Sequence, residues 1–299
     1  MSGNHTKIRV LIIGMAYHAR MLAEQLQRYA PEELMVKYSE QVQTVLLNQF
    51  DVLHIISAPL SQLFRFRSAK IPIVYHWIGS DVQRMVKDTP LRRRLKKWLI
   101  DFTPAFHLTV YEPLRMELSR VGVDARLFPL VPAEFPTEPL PLPEKFAVLS
   151  YLPAQRWDFY HGAQILEIAR RMPRINFHIV ATPPMENPPP NIRFHGYVEE
   201  MKPLYQQCTV LLRLTNHDGL SKMVLEALGY GRYVLWNHPF PHCRLVETVE
   251  DVQKELLALS TQEDINREGL AFVTQHYHPR MVAKQYVEFY RTITGSANG

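Results

Sequence analysis

Two acidic residues, Asp218 and Glu226, stand eight positions apart in the stretch HDGLSKMVLEALGYGRYVLW (217–236), with a glycine turn after the first. A helix opening at Ser221 would put Asp218 just before its first turn and Glu226 within it. The first turn of a helix carries N–H groups without intrahelical partners and the positive end of the dipole, so it receives anions and hydroxyl-rich ligands. Gly219, Leu220 and Ser221 would present backbone there, and Lys222 would add a cation or simply point to solvent. The bland alternatives are that Asp218 caps the helix, where an acidic residue is favoured electrostatically, and that Glu226 lies on an exposed face.

A second constellation is RWDFYHG (156–162), between a strand-like run and the helical pattern GAQILEIARRM. Arg156 offers a planar, permanently charged fork suited to phosphate oxygens. His161 fits equally as a ligand and as a capping or packing residue among aromatics. A third lies at the end of the strand-like IPIVYHW, where His76 and the loop Gly79-Ser80-Asp81 would face the ligand crevice of an open α/β sheet. Neither an Asp-x-Asp pair nor a metal-site cysteine spacing is present, so no metal site is expected.

Positioning these groups falls to an alternation of short apolar runs and longer helical patterns. RVLIIG, DVLHIIS, IPIVYHW and HLTVY alternate with segments such as MLAEQLQRY and PLRMELSRVG, and the order restarts with FAVLSYL, NFHIVA, IRFHGYV, TVLLRL and RYVLWN. That pattern predicts βαβ units and parallel sheets. The 299 residues exceed what one core usually serves, and the Pro-rich VPAEFPTEPLPLPEK (131–145) reads as a stiff interdomain linker. The expected domains are 1–135 and 146–278, with a terminal helix over 279–299 that could return to the first. Composition is that of a soluble globular chain, 46% hydrophobic and 21% charged, and its net charge of +5 suits anionic ligands or anionic membrane surfaces. Two cysteines, Cys208 and Cys243, read as reduced thiols in a cytoplasmic protein.

Taken together, these fragments resemble the retaining glycosyltransferase family 4, of the GT-B fold. Glu226 and ALGYGRYVLW match that family's EAMACGxPVV pattern, Asp218 stands where its members commonly have Glu, and Gly219-Leu220-Ser221 stands for Gly-Phe-Gly. Arg156 and Gly162 match Arg-x4-Lys-Gly, with His161 at the Lys position. TVYEPLRMELSRVGVDARLFPLV is similar to the end of the family's N-terminal domain, and YHWIGSD to its His-Gly-Ser-Asp loop. After the first strand, GMAYHAR has only Gly14 where members often have a glycine pair for the donor diphosphate.

The resemblance implies two Rossmann-like domains with parallel sheets facing a cleft. It implies transfer of a sugar from a nucleotide-diphosphate sugar to a hydroxyl acceptor, with no cofactor beyond that donor. Gly14, Arg156, His161, Gly219, Leu220, Ser221, Lys222 and Glu226 would bind the donor, Glu226 through the ribose hydroxyls. Asp218 would face the transferred sugar and, with His76, be catalytic, while Gly79, Ser80 and Asp81 would lie on the acceptor side. A nucleotide-sugar epimerase and a non-catalytic partner subunit of the same fold are the competing readings. A nicotinamide dehydrogenase is disfavoured, since no G-x-G-x-x-G follows the first strand.

TPLRRRLKKWLIDF sets five cations beside Leu91, Leu95, Trp98 and Leu99, the pattern of an interfacial helix. Residues 89–102 are therefore a candidate peripheral membrane contact, although an ordinary helix with a solvated basic face is the plainer reading. No nucleic-acid reader motif accompanies the charge.

Overall fold

The apolar runs fold into two six-stranded sheets, and every strand pairing in them is parallel. The computed structural model describes residues 7–40, 44–136 and 138–297. Residue 137 of the expected linker and residues 298 and 299 of the expected terminal helix lie outside that set. The chain divides into two units, one running to Phe135 and resuming at Tyr277, the other spanning Pro136–His276.

In the first unit the order is β1 (Ile8–Gly14), α1 (Ala16–Tyr29), β2 (Leu34–Tyr38), β3 (Val52–Ile56), α2 (Leu60–Arg65), β4 (Ile73–Trp77), α3 (Ser80–Lys87), α4 (Pro90–Asp101), β5 (Ala105–Thr109), α5 (Glu112–Arg120) and β6 (Arg126–Leu127). The sheet runs β2-β1-β3-β4-β5-β6. Every residue of β3 and β4 is buried, as a central parallel strand covered on both faces requires. Edge strand β2 instead alternates buried Leu34 and Val36 with exposed Met35 and Lys37.

The second unit contains β7 (Ala147–Tyr151), α6 (Gly162–Arg171), β8 (Asn176–Val180), β9 (Ile192–Phe194), α7 (Lys202–Gln207), β10 (Val210–Arg213), α8 (Lys222–Gly229), β11 (Tyr233–Trp236), β12 (Arg244–Leu245), α9 (Val249–Leu259) and α10 (Arg267–Tyr277), in sheet order β12-β11-β10-β7-β8-β9. Its core joins Val148, Phe177, Ile179 and Leu212 of the sheet to Ile165 and Ile168 of α6 and Leu256 of α9. Cys208 is buried here, and burial pushes its thiol up to about 12. The second half of the Pro-rich stretch is docked: Leu140 N–H donates to the Tyr230 carbonyl at 3.1 Å, and Arg232 Nη2 to the Pro141 carbonyl at 2.7 Å.

The last helix, α11 (Pro279–Ala297), packs on α1 of the first unit, where Gln25 Nε2 donates to the Pro279 carbonyl at 3.0 Å. Further along it, Tyr286 and Tyr290 are wholly buried against β3 and β4. In each sheet the first strand has neighbours reached in opposite directions: β1 lies between β2 and β3, and β7 between β8 and β10. The carboxyl ends of β1/β3 and β7/β10 are thus the topological switch points, where open α/β sheets leave a ligand crevice.

Candidate functional site

In the second unit the switch point is lined by charge. Arg213 closes β10, a strand that is otherwise Val and Leu, and its Nε donates to Asp218 Oδ2 at 2.6 Å. Asp218 is held further by the Gly219 N–H at 3.0 Å and the Thr215 hydroxyl at 3.4 Å. It therefore does not cap α8: Ser221 does, its Oγ accepting from the Val224 N–H at 3.4 Å. Burial works against the Arg213 cation, yet the Asp218 carboxylate and the Tyr160 hydroxyl hold its pKa above the ordinary arginine value.

From the neighbouring β7 the chain enters two short 3₁₀ turns, Ala154–Arg156 and Asp158–Tyr160, before α6. Arg156 is exposed, its guanidinium 3.9 Å from the Phe159 ring centroid and 5.4 Å from that of Tyr160. Arg213 lies 5.6 Å from the same Tyr160 centroid, so two guanidinium groups share one ring. Asn216 N–H donates to the Phe159 carbonyl at 3.0 Å, tying the Asp218 loop to the Arg156 turn. The structure thus brings Arg156 and Asp218, 62 positions apart in the sequence, to one sheet end through Tyr160 and Arg213.

His161 adopts a left-handed conformation (φ 52°) as the residue before α6. Its Nδ1 meets Gln164 Oε1 at 2.7 Å, and its Nε2 is enclosed without a partner among the described residues. Gly162 is required by packing, since a Cβ there would lie 2.3 Å from the Trp157 ring.

Glu226 projects from α8 with its side chain 15% exposed, 3.1 Å from the Tyr205 hydroxyl and 3.3 Å from Lys222 Nζ. Burial raises its carboxyl pKa against the opposing pull of Lys222 and Tyr205. Lys222 is thus turned toward Glu226. Arg213 also acts on Tyr205, opposing the upward shift that burial and Glu226 impose on that phenol. Asp218 is thus paired with Arg213 and Glu226 with Tyr205. Neither Arg213 nor Tyr205 was read from the sequence; the signal for Arg213 was a charged residue ending an apolar strand five positions before Asp218.

In the first unit, Gly14 ends β1 with φ 114°, and a Cβ would lie 2.0 Å from the Ile56 carbonyl oxygen. The backbones of β1 and β3 approach this closely because Met15 N–H donates to that oxygen at 2.8 Å. A cavity of about 570 Å³ opens at this switch point, lined by Gly14, Met15, Glu40, Ser57, Gln62 and Arg65 among others. Ser57, φ 47°, is 7% exposed, and its hydroxyl has no hydrogen-bond partner among the described residues.

The His76 loop is built differently from its sequence reading. His76 has no exposed surface; its Nε2 meets the Phe128 carbonyl at 2.9 Å and its Nδ1 meets His54 Nε2 at 3.2 Å. His54 Nδ1 in turn meets the Tyr290 hydroxyl at 2.7 Å. One tautomer assignment satisfies the chain: Tyr290 donates to His54, His54 to His76, and His76 to the carbonyl. Burial lowers the His76 pKa to about 3, so the ring is neutral. A ring enclosed and occupied at both nitrogens cannot touch a substrate here, which gives His76 a structural part in place of the expected catalytic one. Asp81 is likewise buried, accepting from the N–H groups of Gly79 (2.9 Å) and Ile78 (3.1 Å), and so closes its own loop. Ser80 is exposed and opens α3.

No protein-family model matches the chain, and no curated protein matches its sequence. Solved structures match its fold. Anabaena HepE in complex with UDP and glucose is 10% identical with a TM-score of 0.70, over 95% of this chain and all of that one (100%). Sucrose-phosphate synthase from Thermosynechococcus elongatus is 12% identical with a TM-score of 0.71, over 97% of this chain and 100% of that one. S. aureus TarM, in complex with UDP and α-GlcNAc-glycerol among other ligands, is 11% identical with a TM-score of 0.63 over 80% of this chain, which spans 55% of the TarM chain. At such identities the likeness establishes the fold alone: two parallel α/β units of the GT-B kind.

Proposed function

We propose that this protein transfers a sugar from a nucleoside-diphosphate sugar to a hydroxyl acceptor with retention of anomeric configuration. The observation that carries the reading is the joining of Arg156, Arg213–Asp218 and the start of α8 at the β7/β10 switch point. The fold likeness to HepE, solved with UDP and glucose, supports a uridine donor as the first to test.

In this reading the diphosphate lies against the exposed Arg156 fork and the first-turn N–H groups of α8. Both stabilise the charge that grows on the leaving oxygen. Glu226 accepts from the ribose hydroxyls. Asp218, fixed by Arg213, accepts from a hydroxyl of the sugar and orients its ring. The anomeric carbon–oxygen bond breaks with its electron pair going to the diphosphate. The acceptor oxygen then bonds to the anomeric carbon on the same face, and its proton passes to the departing phosphate oxygen. No side-chain nucleophile is assigned. The cavity beside Ser57 and Gln62 receives the acceptor, in a cytoplasmic setting where Cys208 and Cys243 remain thiols.

A non-catalytic partner subunit is the second reading, favoured by the enclosed His161 Nε2 where the resembling family has Lys. Incubating the protein with UDP-glucose and a panel of hydroxyl acceptors, and measuring UDP release, separates the two. Binding of UDP with no release across donors and acceptors would favour the subunit.

A further inference from the structure

Helix α4 carries its charges the wrong way round for an ordinary surface helix. Leu91, Leu95 and Trp98, with the capping residue Phe102, recur at spacings of four, three and four and are 78%, 59%, 45% and 58% exposed. At 3.6 residues per turn they form a single stripe. Several of the basic residues, meanwhile, hold the helix to the protein. Arg93 Nη2 donates to the carbonyls of Val86 (2.7 Å) and Asp88 (3.1 Å), and Lys96 pairs with Asp88, while Lys97 pairs within the helix with Asp101. Ile100 is the buried residue of the helix.

The stripe continues onto α2, where the Phe64 ring lies 5.5 Å from Trp98 and the Arg67 guanidinium stands 4.4 Å over Phe64. Arg92 and Arg94 flank the stripe on its two sides, both exposed, and among the described residues neither forms an ion pair. An exposed apolar row rimmed by unpaired arginines matches the headgroup and acyl boundary of an anionic bilayer, into which the apolar side sinks while the cations meet lipid phosphates. A second copy of this chain is a poor occupant, because face-to-face stripes would bring Arg92, Arg94 and Arg67 against their own equivalents. No described helix is long and apolar enough to cross a membrane, so the contact would be peripheral at this surface.

We infer that α4, with Phe64 and Arg67 of the α2 region, is a docking surface for anionic lipid membranes. The test uses the full chain with vesicles of equimolar phosphatidylglycerol and phosphatidylcholine, against pure phosphatidylcholine vesicles. Cosedimentation is read alongside tryptophan emission. Trp77 and Trp236 are buried and Trp157 is half-buried in the second unit, so the part of a blue shift that comes from Trp98 is the part lost when Trp98 is replaced. The protein should sediment with the anionic vesicles, shift its emission, and be released by salt. Arg92→Glu/Arg94→Glu should weaken binding by at least about 30-fold. Leu95→Gln/Trp98→Gln should lose both insertion and shift. All four positions are solvent-facing, so unchanged thermal unfolding verifies that the variants fold. Absence of sedimentation at low salt, equal binding to both vesicle types, or undiminished binding by both variants would overturn the inference. So would a concentration-dependent dimer that is lost in Leu95→Gln/Trp98→Gln and forms without lipid.

Discussion

Arg213 and Asp218 form a hydrogen-bonded ion pair at 2.6 Å with side chains only 9% and 14% exposed, at the carboxyl end of a central strand. Removing either partner leaves an uncompensated charge in a poorly solvated place. Asp218→Asn and Arg213→Met should each destabilise the second unit by about 3 kcal/mol. The double variant Arg213→Met/Asp218→Leu should recover most of that stability and none of the sugar transfer. Denaturant unfolding alongside donor turnover measures both. Recovery of turnover together with stability would make the pair purely structural.

Glu226 divides stability from binding. Burial raises its folded-state pKa, so the ionised carboxylate costs the fold stability as pH rises through the range between the unfolded and folded values. Glu226→Gln should therefore leave thermal stability at neutral pH unchanged or higher. The same substitution should weaken nucleoside diphosphate binding by about 10- to 100-fold, the usual worth of a hydrogen bond to a charged acceptor. In the wild type, affinity should begin to fall at a pH above that of an ordinary Glu, since the acceptor is lost on protonation. Titrations at stepped pH check the sign, and an unchanged profile would take Glu226 out of the site.

The relay from Tyr290 through His54 to His76 predicts acid sensitivity of the first unit. Both imidazoles are held neutral by burial, His76 with a pKa of about 3. Because the folded pKa lies below the unfolded one, the stability this contributes is full above pH ~6.5 and lost as pH falls toward the folded value. The slope should approach about 1.4 kcal/mol per pH unit for each such ring. Tyr290→Phe leaves the His54 acceptor unpaired and should cost about 1–3 kcal/mol. Unfolding monitored from pH 7 to 4 (about the range over which an ordinary His charges) should show the loss, and a flat profile would contradict it.

Gly14→Ala should damage the first unit, since its Cβ would meet backbone at 2.0 Å and φ 114° suits only glycine. Loss of folded protein, or of secondary-structure signal at moderate temperature, is the expected outcome. A variant as stable as wild type would mean that β1 and β3 do not approach as described.

Much of the architecture was legible in the residues. Continuous apolar runs such as VLHII and IVYHW mark doubly covered strands, and Ser221 followed by an apolar helix pattern marks the start of α8. Edge strand β2 was missed because LMVKY buries alternate residues and lacks a continuous run. Helix α9 also went unread, although Thr248 and Asp251 form its capping box. For the site, periodicity could place Arg156 and Asp218 after strands and Glu226 within a helix. It could not show that Arg213 holds Asp218, which the turn after β10 decides, or that Tyr205 meets Glu226, which brings α7 against α8. The largest departure was His76: a histidine ending an apolar strand reads alike whether it faces a ligand or a buried tyrosine. Only the return of α11, with Tyr286 and Tyr290 some 210 to 236 residues distant from their histidine partners, decides between them.

The most direct test of the account is calorimetric titration of the purified chain with UDP, without added metal, for the wild type, Arg156→Ala and Glu226→Gln. The wild type should show saturable one-site binding, and each variant should bind at least about tenfold more weakly. No heat from UDP or from the other nucleoside diphosphates, or equal affinity in all three proteins, would contradict it.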